Sequence, residues 1–155
     1  MDFPNLPGNA PESAIAFHFD DVQFELPDTA LLDAWLRSAA ESEGKQMGEL
    51  NYIFCSDERL RAINVEYLDH DYYTDVITFP YGEDGIYGDV FISADRVRDN
   101  AQALQVGFGQ ELLRVMVHGL LHLAGYDDKT PELKARMSAR EDFHLQRTAL
   151  FTTAV

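Results

Sequence analysis

Cysteine is almost absent from this chain. Cys55 stands alone among 155 residues, so no internal disulfide can form. Its place in the apolar run Tyr52-Ile53-Phe54-Cys55 marks it as a buried, inert thiol rather than a redox centre. Basic residues are scarce: 12 Lys and Arg face 27 Asp and Glu, for a net charge of −15. That balance by itself argues against a nucleic-acid partner, because phosphate binding is dominated by Lys and Arg. The opening Met1 to Ser13 has no basic residue and no apolar run, and it carries three prolines. It has the character of neither a secretory signal nor a membrane segment, so a cytoplasmic protein with no membrane partner is expected. Internal repeats, low-complexity tracts and linkers are lacking too. With 46 % hydrophobic residues the chain can bury a substantial core, so one domain is expected across residues 1–155, with 1–13 as an irregular lead-in.

The charge is unevenly placed. Residues 1–110 hold 21 acidic and 6 basic side chains, the whole of the −15, whereas residues 111–155 hold six of each. A polyanion could approach that neutral third, helped by Lys129, Lys134, Arg136, Arg140 and Arg147, although such a spread also fits an ordinary solvated surface.

The hydrophobic pattern predicts a mixed order of elements. Ala14 to Leu26 reads as an extended segment whose alternation slips at Asp20-Asp21 and stops at Pro27. Asp28 is a suitable N-cap for an amphipathic helix over 29–43. Leu50 to Cys55 reads as a strand, and Ser56 as the cap of a helix running to about Leu68. Val76 to Pro80 and Tyr87 to Ile92 read as strands joined by a glycine-containing turn. Ala94 to Leu104 is helical, Gly107-Phe108-Gly109 breaks the helix, and Gln110 to Ala124 forms another. Thr130-Pro131 opens a last helix to about Leu150. The expected class is α+β: a small mixed sheet packed against several helices.

The helix over 110–124 is apolar nearly all round and should be central. It ends in His118-Gly119-Leu120-Leu121-His122-Leu123-Ala124-Gly125-Tyr126-Asp127-Asp128. His118 and His122 stand at i and i+4, so both imidazoles can reach one ion. Two histidines on an apolar helix need two polar solutions, which a shared metal provides. Gly125 suits the turn just past the helix, and the reversal can bring Asp127 or Asp128 to the same ion as a third ligand. Their bland role would be capping, but Thr130 before Pro131 is the better N-cap. The position after the first histidine, which in the zinc-protease pattern is the general base, is Gly119; a metalloprotease of that mechanism is disfavoured.

Glu141 shares a stripe with Leu133, Met137 and Leu145. It either orients a ligand histidine or forms a rim pair with Lys134 or Arg140. His144 reads as surface or core rather than ligand. Asp75 before one strand and Asp89 within the next can both line the cleft, with turn capping the alternative for Asp75.

The motif resembles the signature of the YbeY family of bacterial metal-dependent endoribonucleases, His-Gly-x-Leu-His-Leu-x-Gly-Tyr-Asp-His, at every fixed position but the last. Similarity extends back through Gly88-Asp89-Val90-Phe91-Ile92-Ser93 and Thr74-Asp75-Val76-Ile77-Thr78-Phe79-Pro80 to Asn64-x-x-Tyr67, and forward to Met137-x-x-x-Glu141. The resemblance implies a compact α+β domain whose cleft holds one divalent ion, usually zinc. It implies cleavage of single-stranded RNA, with ribosomal RNA maturation and quality control on the small ribosomal subunit as the setting, and no DNA partner. Asp128 stands where the family has its third histidine and becomes the preferred third ligand beside His118 and His122, with Tyr126 behind a ligand or in the cleft. Asp75 and Asp127 are the candidate bases. Leu68 and His70 replace an arginine and a lysine of the family, for which Arg59 or Arg61 could substitute. The loss of those cations and the −15 charge favour the alternative, a non-catalytic ribosome-assembly factor with a structural ion. Peptide hydrolysis would need some other carboxylate as base.

Overall fold

Strand periodicity in Leu50, Tyr52 and Phe54 puts three large side chains on one face, and all three are fully buried. They belong to a sheet that organises residues 14–154, the part of the chain that the computed structural model describes; the expected lead-in over 1–13 lies outside the described residues. The elements run β1 (Ala14–Phe19), α1 (Thr29–Ser42), β2 (Met47–Cys55), α2 (Asp57–Leu68), β3 (Val76–Pro80), β4 (Ile86–Ser93), α3 (Ala94–Leu104), α4 (Phe108–Leu123), α5 (Pro131–Leu145) and α6 (Ala149–Thr153). The strand order is β1-β2-β4-β3. β1, β2 and β4 are parallel, and β3 returns antiparallel beside β4. This is the mixed sheet of an α+β fold.

One sheet face carries the main core. Leu50, Tyr52, Phe54, Val90 and Ile92 pack with Leu112, Leu113, Met116 and Leu120 of α4, and with Leu32, Trp35 and Leu36 of α1. On the other face a smaller cluster joins Cys55 and Ile77 to Leu60 and Ile63 of α2. Burial pushes the Cys55 thiol up to about 12, with the Asp21 and Asp20 charges adding to it, so the thiol is inert. The central α4 lies so close to the sheet that a Cβ on Gly119 would meet Val90 Cγ1 at 2.6 Å. Tyr52 Oη donates into the helix backbone at Met116 O, 2.7 Å away. Among the described residues no helix is long and apolar enough to cross a membrane.

The expected caps are present: Asp28 accepts from Ala30 N and Leu31 N, Ser56 from Arg59 N, and Thr130 from Leu133 N. Four boundaries differ from expectation. The first strand stops at Phe19 rather than Leu26, because Asp21 turns to accept from Ser56 N at the start of α2. Val22, Phe24 and Leu26 still pack on the core, without strand pairing. The second strand starts earlier, at Met47. Gly107 is the N-cap of α4, so Phe108 and Gly109 begin that helix instead of breaking it. The last helix ends at Leu145, and Thr148 caps a separate α6 by accepting from Leu150 N.

Candidate metal centre

The site lies at the C-terminal turn of α4 and in the loop after it. His118 and His122 are one turn apart, with ring centroids 4.6 Å apart and planes at 81°. Past Leu123 the chain reverses through Gly125, whose φ of +109° is a conformation that side-chain-bearing residues rarely adopt. Asp127 Oδ1 accepts from the backbone N–H of Asp128 and Lys129, a turn that presents the Asp128 carboxylate to the helix. Asp128 Oδ2 then lies 3.5 Å from Nε2 of His118 and 3.5 Å from Nε2 of His122. One donor atom from each residue falls within 4.8 Å of the others.

Those distances suit an ion better than hydrogen bonds. A bond between these atoms would be shorter, near 2.7–3.2 Å for N–H···O. A tetrahedral site with metal–ligand bonds of about 2.0–2.2 Å has donor–donor edges of roughly 3.4 Å. The opposite ring nitrogens agree. His118 Nδ1 donates to Glu141 Oε2 at 2.6 Å, and His122 Nδ1 donates to the Tyr126 carbonyl at 3.1 Å. Both partners only accept, so each neutral ring keeps its proton on Nδ1 and its lone pair on Nε2, where the three residues converge. The residues present therefore fit a divalent ion of borderline softness such as zinc.

Two polar networks stand behind the histidines. Glu141, nearly buried, also accepts from Arg114 Nη1 at 3.0 Å, and Arg114 Nη2 donates to Asp142 at 2.8 Å. This carboxylate orients a histidine; it is not a rim partner of Lys134 or Arg140. In the second network Tyr126 Oη donates to Glu43 Oε1 at 2.7 Å, while Arg140 and His144 Nε2 donate to Glu43 Oε2. Of the two roles expected for His144, surface or core, the structure shows the core. Burial alone would raise the Glu43 pKa, but the hydrogen bonds from Tyr126, Arg140 and His144 outweigh it and hold the carboxyl below its ordinary 4.5. For His118, burial disfavours the charged ring, yet the Glu141 hydrogen bond and the Glu141, Asp128 and Asp75 charges hold its pKa above 6.5.

A cleft of about 290 Å³ opens beside His118, lined among others by Asp75, Glu111, Arg114, Asp128 and Lys134. Burial raises the pKa of Asp75 above 3.8; the Glu141 and Asp128 charges add to this and that of His118 opposes it. Glu111 is raised by burial as well.

Three expectations need correction. Asp89 does not line this cleft: β4 turns it to the other sheet face, where it accepts from Asn51 and borders a separate groove with Arg59, Tyr67 and Phe91. Asp127 has a structural duty after all, in the turn before Asp128. Neither Arg59 nor Arg61 serves the cleft, since they pair with Asp20 at 2.8 Å and Asp71 at 2.7 Å. Leu68 is exposed and the His70 ring stacks on Tyr72. Of the five cations expected to favour a polyanion, Arg140 is held by Glu43 and Arg147 lies over the Phe143 ring. Sequence reasoning missed Arg114 and Glu43. Arg114 stands four residues before His118, hence on its helical face, and that spacing was available as a signal. Glu43 had none: its partners are 83 to 101 residues away.

Comparison with known proteins follows the same outline. Residues 16–149 match the protein family described as Endoribonuclease YbeY. The Endoribonuclease YbeY of Cytophaga hutchinsonii is 51 % identical over 136 residues, covering 86 % of this chain and 95 % of its own. That of Parabacteroides distasonis is 44 % identical over 130 residues, covering 83 % and 92 %. Among solved structures, the solution structure of TM1509 from Thermotoga maritima superposes with a TM-score of 0.57 at 27 % identity, covering 86 % of this chain and 91 % of its own.

Proposed function

Because the chain belongs to the YbeY family of endoribonucleases, we propose that it cleaves single-stranded RNA with the help of one divalent ion held by His118, His122 and Asp128. Zinc is the ion that the donor set suits, ribosomal RNA under maturation and quality control on the small ribosomal subunit is the substrate, and the cytoplasm is the setting. The observation that carries this reading is the convergence of three donors, Asp128 Oδ2 lying 3.5 Å from Nε2 of each histidine, with both Nδ1 atoms occupied by acceptors. Two imidazoles and one carboxylate leave room for solvent and substrate, the arrangement of a catalytic rather than a closed structural site. Bound there, a divalent ion supplies Lewis acidity toward a phosphoryl oxygen and toward water.

The protein's own groups do the rest. Glu141 and the Tyr126 carbonyl hold the two rings in the tautomer that exposes Nε2. Asp75, recessed in the cleft beside His118 with its pKa raised by burial, is the carboxyl best placed to hold or pass a proton there. Asp127 is the weaker candidate, since two backbone amides occupy its Oδ1. The assembly factor with a structural ion is not favoured, as the relatives compared are endoribonucleases by name.

The test is cleavage of a single-stranded RNA and a matched duplex by the metal-loaded protein, beside His122→Ala. Loss of the single strand, abolished in the variant, is the expected result. Equal cleavage by both proteins, or none by a protein that holds its ion, would overturn the reading.

A further inference from the structure

Arg114 is not among the three donors, yet it is wired to one of them. It stands one turn before His118 on α4, and its guanidinium reaches across to α5 with both arms. Nη1 donates to Glu141 Oε1 at 3.0 Å and Nη2 to Asp142 Oδ1 at 2.8 Å. The second oxygen of Glu141, Oε2, lies 2.6 Å from His118 Nδ1. The Glu141 side chain is only 7 % exposed, so water offers its two oxygens little alternative. A carboxylate with one partner can swivel about its last bond; one gripped at Oε1 by a planar guanidinium must break a charge-assisted hydrogen bond to do so. Asp142 fixes the other arm of the fork and so the plane of the guanidinium.

We propose that Arg114 is a positioning residue for the metal centre. By holding Glu141 Oε1 it aims Oε2 at His118 Nδ1, sets the plane of that imidazole, and keeps Nε2 directed at the point shared with His122 and Asp128. A lysine would bring a compact ammonium on a flexible stem in place of the planar fork, and so would hold the Glu141 carboxylate less rigidly. The inference rests on the reading of His118, His122 and Asp128 as metal donors. It adds that affinity for the ion is set by a residue on the preceding turn that never touches it.

The experiment is a Co²⁺ titration of the metal-free full chain, followed by the absorption of the bound ion, for wild type, R114M, R114K, E141Q and the double variant R114M/E141Q. Far-UV circular dichroism of each metal-free protein checks the fold. Loss of a group that orients a metal ligand costs about 10–100-fold in affinity. R114M should therefore bind Co²⁺ about tenfold more weakly than wild type, R114K should fall between them, and R114M/E141Q should be no weaker than E141Q alone. Should R114M fail to fold, R114Q takes its place with the same expectation. Equal affinity in wild type and R114M overturns the role of Arg114, as does a loss that persists undiminished when E141Q is already present. Wild type that takes up no Co²⁺ overturns the metal reading itself, a separate and distinguishable result.

Discussion

Gly119 shows how one residue can decide what chemistry a motif allows. It follows the first histidine, where a zinc protease of the His-Glu-x-x-His type carries its general base, and in this fold that position faces the sheet rather than the cleft. A Cβ there would sit 2.6 Å from Val90 Cγ1 and 3.2 Å from Cγ2, on a β-branched side chain in an inner strand that has little freedom to move aside. A carboxylate at 119 would therefore be driven into the core and could not reach the point where His118, His122 and Asp128 converge. Gly119→Ala separates two opposing effects. Alanine is favoured over glycine inside a helix by about 1 kcal/mol, whereas overpacking a core costs about 1–3 kcal/mol. The collision should win, and thermal melting should show Gly119→Ala less stable than wild type by several degrees. Introduced on a Val90→Ala background, where the opposing methyls are gone, the same change should be neutral or stabilising. Destabilisation of equal size on both backgrounds would show that contact with Val90 is not the reason for the glycine.

Between elements, the tie that matters for the site is Glu43, which follows α1 and joins it to the loop after α4 and to α5. Its side chain is 5 % exposed and takes donors from Tyr126, Arg140 and His144, so removing its charge leaves the partly exposed Arg140 without its carboxylate and weakens three hydrogen bonds at once. Glu43→Gln should cost about 2 kcal/mol at neutral pH, between the value for a surface pair and that for a fully buried one. The pH dependence has a definite sign. The folded pKa of Glu43 lies below its unfolded 4.5, so its contribution is complete above that value and is lost as pH falls through the folded pKa. Denaturant unfolding of wild type and Glu43→Gln should thus differ by a constant amount near neutrality, and the gap should narrow below about pH 4.5. A gap that widens on acidification would contradict this. The same network marks where sequence reading stops. Helices α1 and α2 and the end of α4 were legible because periodicity and caps are local: Asp28, Ser56 and Gly125 each act within a few residues. The end of β1 was not, because Asp21 is drawn to Ser56, 35 residues on. Asp89 was expected in the cleft because it lies within β4; which face of that strand the histidines stand over is set by where α4 packs, and no local pattern shows it. His118 and His122 were legible as a pair, and Arg114 shares their helical face; that it grips Glu141 depends on how α5 crosses α4, and the Glu43 contacts depend on where α1 ends.

On the scale of the whole molecule, a chain of net charge −15 must meet a polyanion with few cations, and the fold spends most of its arginines internally. Arg59, Arg61, Arg96, Arg114 and Arg140 are each paired with a carboxylate. Lys129, Lys134 and Arg136 have no ion pair among the described residues; Lys134 lines the cleft, Lys129 adjoins Asp128, and the Arg136 charge acts on Tyr126. Counterion release ties the salt dependence of binding to the phosphates neutralised, with a slope of about −0.7 per contact for single strands. Three contacts give a slope of log affinity against log salt near −2, far shallower than that of a basic RNA-binding protein. Binding of single-stranded RNA to the inactive His122→Ala protein, followed by fluorescence anisotropy across a salt series, measures this slope directly. Replacing Lys129, Lys134 and Arg136 together by alanine should flatten it nearly to zero and weaken binding uniformly across RNA sequences. A starting slope steeper than about −4 would mean that the chain presents more positive charge than these three residues supply. A shallow slope has a corollary for the proposed function: with so little held by backbone charge, discrimination would fall to the cleft beside His118, and a single strand should bind the His122→Ala protein more tightly than a matched duplex does.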